Sequence, residues 1–391
     1  MATPGPTRQQ ALPLLDWDRA PWNRWSFLHM REVLPTAEVW RGLSATRPLE
    51  RSERPLGTLK LKSPSGESVN LNEFLSDTFT DGFLVLRHGK IAFETYQNGM
   101  DERTLHLSQS VAKSVTGMTA GILAGRGVLD PTQLVTHYLP ELANTGWQGA
   151  TLQQVLDMTT GVKFDETYTD PHSDMGQLDV SSGWKPVPPG VDPSLKWPSH
   201  VWEQILDLKG TTRAHGAQFE YRSIETDVLA FCMESATGKR LPQIVSEELW
   251  QKLGAEESAC FTVDSAGYAL ADGGFNATLR DYGRFGQMIL SGGQGIVPAA
   301  WIEDTRHANH AVFAEPYTLA LPQGGYHNQF WVEDATSRNL ICRGVFGQMI
   351  YIDFAHDMVV VKVSTWPDFL NLKMTLATLG VVREIAAALH D

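Results

Sequence analysis

The sequence predicts an α+β protein in which an antiparallel sheet flanked by helices is joined to a mainly helical lobe. Two β-hairpin patterns support this prediction, one at 83–96 and one at 348–364, because each pairs two runs of β-branched and aromatic residues across a short turn. Helical spacing of apolar residues dominates 110–254, and a last helix is expected from Leu372 to His390. A sheet assembled from both ends of the chain and covered by helices accounts for these patterns.

The same order of elements predicts two lobes. The first is an α/β lobe made of 1–108 and 270–391, and the second is a mainly helical lobe made of 109–269. The residues up to about position 75 are predicted to form an N-terminal wrapping arm that packs through its tryptophans, Trp17, Trp22 and Trp25. The proline-rich stretch from Asp165 to Trp197 is predicted to be a long surface loop.

Charge and cysteine content argue against several classes of protein. The chain has 391 residues with 32 Lys and Arg against 45 Asp and Glu, a formal net charge of −13. An acidic chain without a basic run cannot release counterions from a phosphate backbone, which argues against nucleic-acid binding and against docking on a membrane surface. Three cysteines without metal-ligand spacing indicate neither a disulfide framework nor a metal site. Because the N-terminus shows no secretory signal pattern, a cytoplasmic protein is expected.

Two Ser-x-x-Lys patterns are the first candidates for chemistry. Ser182 and Lys185 run directly into three prolines, so they are not expected to lie on a helix or to have a fixed mutual geometry, and this pair is rejected. Ser110 and Lys113 open the run SVAKSVTGMTAGILAG, which continues for four turns without proline. A helix places such residues on one face, so the lysine amine can reach the serine hydroxyl.

This geometry suits a nucleophilic serine, which needs a neighbouring base. Lys113 can act as that base if burial and the positive helix N-terminus lower its pKa, so a neutral Lys113 is expected. Ser110, at the helix N-terminus, also leaves its backbone N–H free to hold an oxyanion. The plain structural alternative is a serine that caps the helix beside an exposed lysine, and this pattern alone leaves it open.

Two further patterns add to the Ser-Lys pair. Tyr221-x-Ser223 ends a β-like run and leads into a helix, where a phenol could relay a proton, although a half-buried core tyrosine is the ordinary alternative. Arg343 to Gln348 is a glycine-spaced strand entry, where a backbone amide could approach a ligand closely.

In this order, the three patterns resemble the serine β-lactamase and penicillin-recognising family. The similarity is greatest to its class C-like branch of esterases and amidases, which includes the nylon-oligomer hydrolases. It is carried by six ordered blocks, namely DGFLVLRHGK, SVAKSVTG, TYTDPHSDMGQLDVSSGW, FEYRSIETDVLA, GVFGQMIYID and STWPD. The resemblance implies a β-lactamase-like fold with the active site between the two lobes.

The resemblance also implies roles for individual residues. Ser110 would be the acylated nucleophile, Lys113 its base and Tyr221 the proton relay. The backbone N–H groups of Ser110 and Val345 would form the oxyanion hole. Five side chains are expected to contact the substrate, namely Tyr168, Asp179, Trp184, Phe346 and Asp368.

The implied activity is hydrolysis of amide bonds in small linear substrates such as 6-aminohexanoate oligomers, with ester hydrolysis as a side activity and no metal or cofactor. A homodimer is possible. Phe346 stands where many relatives have His or Lys, Ser223 where β-lactamases have Asn, and Asp272 where a variable polar residue occurs, so penicillin-like substrates are disfavoured. Two alternatives stay open: a carboxylesterase with little amidase activity, and a non-catalytic penicillin-binding-like module.

Overall fold

The computed structural model describes residues 12–192, 194 and 196–389. Its helices are, in chain order, α1 (Asn23–Ser26), α2 (Met30–Val33), α3 (Leu71–Asp77), α4 (Val111–Gly125), α5 (Val135–Tyr138), α6 (Leu152–Leu156), α7 (Asp174–Ser181), α8 (Val201–Asp207), α9 (Ile224–Thr237), α10 (Leu241–Val245), α11 (Gln251–Leu253), α12 (Leu279–Leu290), α13 (Ala299–Thr305) and α14 (Leu372–Ala388). The predicted helix end His390, residues 1–11 of the predicted arm, and Pro193 and Leu195 of the predicted loop lie outside the described residues.

The strands form three antiparallel sheets. They are β1 (Thr36–Val39), β2 (Lys60–Lys62), β3 (Ser68–Asn70), β4 (Thr80–Arg87), β5 (Lys90–Tyr96), β6 (His106–Leu107), β7 (Ala259–Thr262), β8 (Phe275–Ala277), β9 (Gly325–His327), β10 (Phe330–Val332), β11 (Leu340–Gly344), β12 (Gln348–Asp353) and β13 (Met358–Ser364). The main sheet has the order β5-β4-β13-β12-β11-β10-β9, a second sheet has the order β1-β7-β8-β6, and β2 pairs with β3.

Both predicted hairpins are confirmed. In the first, β4 and β5 pair antiparallel across His88 and Gly89, which have φ values of 51° and 71°, the left-handed pair that a tight two-residue hairpin requires. In the second, β12 pairs with β13. Strand β13 also pairs with β4, with Val361 opposite Leu84, so the two ends of the chain meet in one sheet, as predicted.

The main sheet is covered on both faces. Leu84, Leu86 and Val359 belong to the same buried cluster as Phe285 and Met288 of α12. Alternate strand residues point to the opposite face, where they join a second cluster with α14; the members of that cluster include Phe83, Val85, Val360, Leu379 and Val382. This arrangement confirms the α+β prediction of a sheet flanked by helices.

Helix α4 lies deep in the protein, and its small residues make this possible. Residues 111–123 of the helix are all buried. A Cβ atom added to Gly117 would lie 2.5 Å from the backbone oxygen of Asn328, and one added to Gly121 would lie 2.3 Å from the Trp301 indole. The glycines therefore let neighbouring elements approach the helix backbone closely.

Two predictions from the helical region need correction. The stretch 165–197 is not wholly a surface loop, because it contains helix α7, which Ser173 caps and whose Leu178 is buried. The predicted helix over 242–253 is divided by a π-helical turn at Ser246–Trp250, between α10 and α11. The helices expected around α4, α6, α8 and α9 are confirmed to within a residue or two at their ends.

The described part of the N-terminal arm packs against the rest of the chain. Trp17 is fully buried and meets the Trp184 indole edge-on, with ring centroids 5.2 Å apart. Asn23 donates a hydrogen bond to the backbone oxygen of Trp366 at 2.8 Å. None of the helices described is long and apolar enough to cross a membrane. The division into two lobes at 109 and 270 stays a prediction.

Candidate active site

Ser110 occupies a sharp turn between β6 and α4. Gln109 before it has a φ of 50°, a left-handed conformation that is strained for a residue with a side chain. Ser110 is the N-cap residue of α4, but its side chain makes no capping hydrogen bond. Its hydroxyl instead accepts a hydrogen bond from Lys113 Nζ at 3.0 Å. The plain alternative of a capping serine beside an exposed lysine is therefore not what the fold contains.

Lys113 is buried at the base of this site, with 1% of its surface exposed. Its Nζ also donates to Ser223 Oγ at 3.2 Å and to the backbone oxygen of Asp272 at 2.7 Å, and it lies 3.4 Å from the Asp272 carboxylate. The ring of Tyr221 is centred 5.1 Å from the same nitrogen. Residues that are distant in sequence thus converge on one ammonium group.

The expectation of a neutral Lys113 is wrong. Burial by itself lowers the pKa of Lys113, as predicted, and it is the largest single influence. Tyr221, Asp272 and Glu166 act in the opposite direction, and together they raise the pKa of Lys113 above its ordinary value. Lys113 is therefore an ammonium group at neutral pH.

Tyr221 is held as a neutral phenol. Burial raises the pKa of Tyr221, and Glu166 adds to this, while Lys113 and a hydrogen bond with Ser110 act to lower it. The ring stacks on Trp331 with centroids 5.5 Å apart, and the backbone N–H donates to the Tyr317 hydroxyl at 2.9 Å. The phenol therefore carries a proton next to both the serine and the lysine.

Glu166 is a site residue that the sequence reasoning missed. Its carboxylate accepts hydrogen bonds from Ser223 Oγ at 2.6 Å, from the Ser223 backbone N–H at 2.9 Å and from the Tyr168 hydroxyl at 2.8 Å. Burial raises the pKa of Glu166, with Lys113 and Ser223 opposing. Several acidic residues occur in this stretch, and no local pattern distinguishes Glu166 from them, because its importance comes from contact with Ser223 across 57 positions.

Asp272 is the second missed residue. It stands in the motif ADGG, and the sequence analysis treated it only as a departure from relatives. In the fold it is buried, and one carboxylate oxygen faces Lys113 while the other has no hydrogen-bond partner among the described residues. Its carboxylate is one of the groups that raise the pKa of Lys113 and so help the lysine to keep its charge.

Val345 begins a short helical turn at the end of β11. The next residue, Phe346, has a φ of 60°, and this strained conformation is held by two backbone hydrogen bonds, one to the Phe369 oxygen at 2.9 Å and one from the Trp366 N–H at 3.2 Å. Phe346 itself is buried against Phe27 and Phe369. It supports the turn that carries Val345 and does not line the cavity at Ser110.

A small inner cavity of about 20 Å³, enough for one water molecule, lies at Ser110. It brings together predicted and unpredicted residues. The predicted ones are Ser110, Tyr168, Asp179, Trp184 and Val345, and the others are Gln109, Met175, Leu178, Ser182, Ser223, Leu270, Asp272 and Gly273.

The acidic side of the inner cavity is built around a lysine. Lys185 Nζ lies 3.0 Å from the Asp179 carboxylate and 2.8 Å from that of Asp18, so two carboxylates hold this lysine in place. Ser182 is not part of a Ser-Lys pair, because its hydroxyl donates to the Asp179 backbone oxygen. Burial raises the pKa of Asp179 to about 6, with Lys185 opposing and Asp18 contributing. Two carboxylates around one ammonium leave this side net negative above that pH.

A larger outer cavity of about 680 Å³ lies on the other side of Tyr168. Tyr168 stacks on Phe369 with centroids 5.6 Å apart, and the Arg19 guanidinium lies 4.8 Å from the centre of the Phe369 ring. Asp368 lines this cavity and is exposed. Within the described residues, no three His, Cys, Asp or Glu side chains are grouped so that they could hold a metal ion.

Comparison with known proteins agrees with this geometry. The β-lactamase family model matches residues 77–379. The chain is 38% identical to a 6-aminohexanoate-dimer hydrolase of Paenarthrobacter ureafaciens over 363 residues, which are 91% of this chain and 89% of that protein.

Solved structures agree as well. A Bacillus anthracis protein assigned by name as a 6-aminohexanoate-dimer hydrolase superposes with a TM-score of 0.89 at 29% identity, covering 99% of this chain and 98% of the other. The hydrolase EstCE1 shares the fold with a TM-score of 0.63 at 17% identity, covering 79% of this chain and 96% of the other. The resemblance inferred from the six sequence blocks is therefore confirmed, and the chain belongs to the β-lactamase family as a serine hydrolase of the amidase and esterase type.

Proposed function

We propose that this enzyme hydrolyses amide bonds of small linear substrates such as 6-aminohexanoate oligomers, through an acyl-enzyme on Ser110, with ester hydrolysis as a side activity. The observation that carries the proposal is the buried Ser110–Lys113 pair beside Tyr221, at the edge of a net-negative inner cavity. The 38% identical relative is named for its action on the 6-aminohexanoate dimer, which supports this substrate class.

Acylation begins with attack of Ser110 Oγ on the substrate carbonyl carbon. A new C–O bond forms, the π pair of the carbonyl moves onto its oxygen, and the backbone N–H groups of Ser110 and Val345 hold the resulting oxyanion. Among the described residues, the Ser110 N–H has no hydrogen-bond partner, so it is available for this role.

Because Lys113 is an ammonium group, it receives the Ser110 proton as part of a relay. Lys113 first passes one of its protons to Ser223 Oγ while Ser223 passes its hydroxyl proton to Glu166, and the neutral amine so formed then takes the proton from Ser110. The raised pKa of Glu166 makes this carboxylate a better proton acceptor than an exposed glutamate. The relay therefore removes one proton from the serine and places it on Glu166.

The leaving amine then needs a proton, and Tyr221 is placed to supply it. As the C–N bond breaks, the phenol protonates the nitrogen, Lys113 reprotonates the phenol, and Glu166 returns its proton through Ser223 to Lys113. The net result is transfer of the Ser110 proton to the leaving amine. Water then attacks the acyl-enzyme, the proton transfers run in the reverse order, and Ser110 is regenerated.

Tyr168 and the acidic side of the inner cavity give the proposal its substrate class. A linear aminohexanoate oligomer carries an ammonium group on its acyl fragment, and the net-negative group around Asp179 complements that charge. Tyr168 lines both cavities, so a substrate bound at Ser110 can contact it.

The test compares kcat/KM for the linear 6-aminohexanoate dimer with that for a p-nitrophenyl short-chain ester. We expect dimer cleavage by the wild type and a larger loss on the dimer than on the ester in Tyr168→Phe, by about tenfold, because an amine is the poorer leaving group and depends more on hydrogen-bonded assistance. Ser110→Ala serves as the blank for both substrates.

Ester turnover without dimer cleavage would contradict the amidase proposal and leave a carboxylesterase with the same nucleophile. A folded wild type that turns over neither substrate and is not labelled at Ser110 by a fluorophosphonate would instead be a binding module. Ser114→Ala, on the same helix, is the matched control, since its hydroxyl donates to the Gln329 backbone oxygen.

A further inference from the structure

Arg343 lies at the edge of the site without a role in the mechanism above. It lies on β11, one position before that strand ends at Gly344 and two before Val345. Its guanidinium carbon lies 5.2 Å from the centre of the Trp331 ring. The same indole stacks with Tyr221, the proposed proton donor to the leaving group. Arg343 and Tyr221 therefore both contact the ring of Trp331.

This partly buried arginine has no counter-charge among the residues that the structure describes. Several other buried or partly buried arginines are paired, such as Arg24 with Asp81 at 2.8 Å and Arg284 with Asp281 at 2.9 Å. Burial lowers the pKa of Arg343 to about 10, and only the Tyr221 phenol acts in the opposite direction. No carboxylate of the described chain thus compensates for the buried charge.

An unpaired, partly buried cation costs stability, and a ligand that supplies the anion offsets this cost. The guanidinium is planar and offers parallel N–H donors that match a carboxylate. The contact with Trp331 helps to hold the guanidinium in place.

We propose that Arg343, stacked on Trp331 and beside Tyr221, forms a subsite for a free carboxylate on the leaving fragment of the substrate. This inference rests on the proposed function and narrows its substrate class to linear amides with charges at both ends. The ammonium of the acyl fragment meets the acidic group around Asp179, and the carboxylate of the leaving fragment meets Arg343.

The proposed subsite also supplies the cation that is missing at position 346, where this chain has Phe346. Phe346 replaces a cation with which many relatives are expected to hold a carboxylate, and the sequence alone therefore argued against carboxylate recognition. Arg343, three positions earlier, supplies a cation from the strand itself, while Phe346 is buried against Phe27.

The test measures carboxylate preference, defined as the ratio of kcat/KM for the linear 6-aminohexanoate dimer to that for the same dimer with a terminal carboxamide. We expect a wild-type ratio above about 10, from a charge-assisted hydrogen bond, and a ratio near one in Arg343→Met. Arg343→Lys should give an intermediate ratio, because it keeps the charge and loses the planar fork. Arg240→Met is the matched control, since Arg240 also stacks on an aromatic ring, that of Tyr268 at 4.3 Å, away from the cavity.

A wild type without carboxylate preference, or an Arg343→Met variant that keeps it, would overturn the subsite. Equal losses on the two dimers in Arg343→Met would do so as well, because they indicate that Arg343 only supports Trp331. A second pair, 3-acetoxybenzoate and phenyl acetate, separates this inference from the amidase proposal. If the wild type cleaves esters but no dimer, loss of preference for 3-acetoxybenzoate in Arg343→Met still supports the subsite, and unchanged preference refutes it.

Discussion

Two lysines of this chain are almost equally buried, yet their pKa values are shifted in opposite directions. Lys113 in the active site is 1% exposed, and Lys362 on β13 is 0% exposed. The carboxylates of Asp272 and Glu166 act on Lys113, and its pKa is raised. Burial lowers the pKa of Lys362 to about 7, because the opposing effect of Asp81 is too small and Arg24 adds to the lowering.

The carboxylate near Lys362 is already shared. Asp81 accepts hydrogen bonds from Arg24 at 2.8 Å and from Thr365 at 2.9 Å, and it contacts His106 at 3.0 Å. Lys362 itself donates to the backbone oxygen of Thr78 at 3.3 Å and to the Ser364 hydroxyl. The comparison teaches that burial sets the cost of a charge, whereas the available neighbours decide whether the charge is kept.

The largest expected difference between the two lysines is in catalysis. Lys113→Met should lower kcat/KM by about 10³, because it removes the group that accepts and returns the Ser110 proton. Lys362→Met should keep kcat/KM within about threefold, since Lys362 lies outside both cavities. Steady-state kinetics on a p-nitrophenyl ester measures both. Similar losses of kcat/KM in the two variants would contradict the functional distinction between the two lysines.

The second difference is in the pH dependence of stability. Lys362 has a folded-state pKa of about 7, below its unfolded value, so the unfolded state binds an extra proton between pH 7 and about 10. Stability conferred by this position is therefore lowest below pH 7 and increases as pH rises. The free energy of unfolding of the wild type, relative to Lys362→Met, should increase by about 3 kcal/mol from pH 7 to about pH 9.5.

Urea unfolding at the two pH values measures this difference, and Lys113→Met is the matched control. Because the pKa of Lys113 is raised, both its folded and unfolded states are protonated across this range, and the wild type relative to Lys113→Met should show little change. Parallel pH dependences for wild type and Lys362→Met would show that Lys362 keeps its charge.

The smallest expected effect concerns the carboxylate that completes the proton relay. Glu166→Gln should lower kcat/KM by about 10- to 100-fold. The wild-type rate should fall as pH drops through the raised pKa of Glu166, so its acidic limb lies above the ordinary range of a glutamate, and this limb should be absent in the variant. A pH profile of kcat/KM measures both quantities.

Glu225→Gln is the matched control for Glu166→Gln. Burial also raises the pKa of Glu225, but its carboxylate bonds to Thr160 and Trp147 and not to Ser223. Glu225→Gln should lower the stability of the protein and leave the acidic limb of the kcat/KM pH profile in place. An unchanged limb in Glu166→Gln would remove Glu166 from the relay.

Much of the fold was predictable because its signals are local. The alternation of β4, β5, β12 and β13, the glycine-containing turn after Arg87, and the small residues of α4 each indicate their structure within a short window. Helix α7 was missed because prolines and turn formers surround it, and its stability comes from the Ser173 cap and the buried Leu178. The possible homodimer and the cytoplasmic location stay predictions.

The candidate site also has one part that local sequence predicts and another part that it does not predict. Ser110 and Lys113 are one helical turn apart, so their pairing could be inferred from spacing, and the resemblance of six ordered blocks supplied Tyr221 and Val345. Glu166 and Asp272 reach the site from 57 and 159 positions away from the residues they contact, so no window of sequence contains the interaction.

The sequence by itself determined which residues form the helix carrying Ser110 and Lys113 and that the chain ends share a sheet. It also determined the family, because ordered motifs can be recognised without knowing which residues are in contact. Only the tertiary structure decided that Lys113 keeps its proton, that Phe346 supports a turn, and that Arg343 has no counter-charge among the described residues. The physical reason is that hydrogen bonding within a helix or hairpin depends on nearby residues, whereas charge depends on every group brought within a few ångströms by folding.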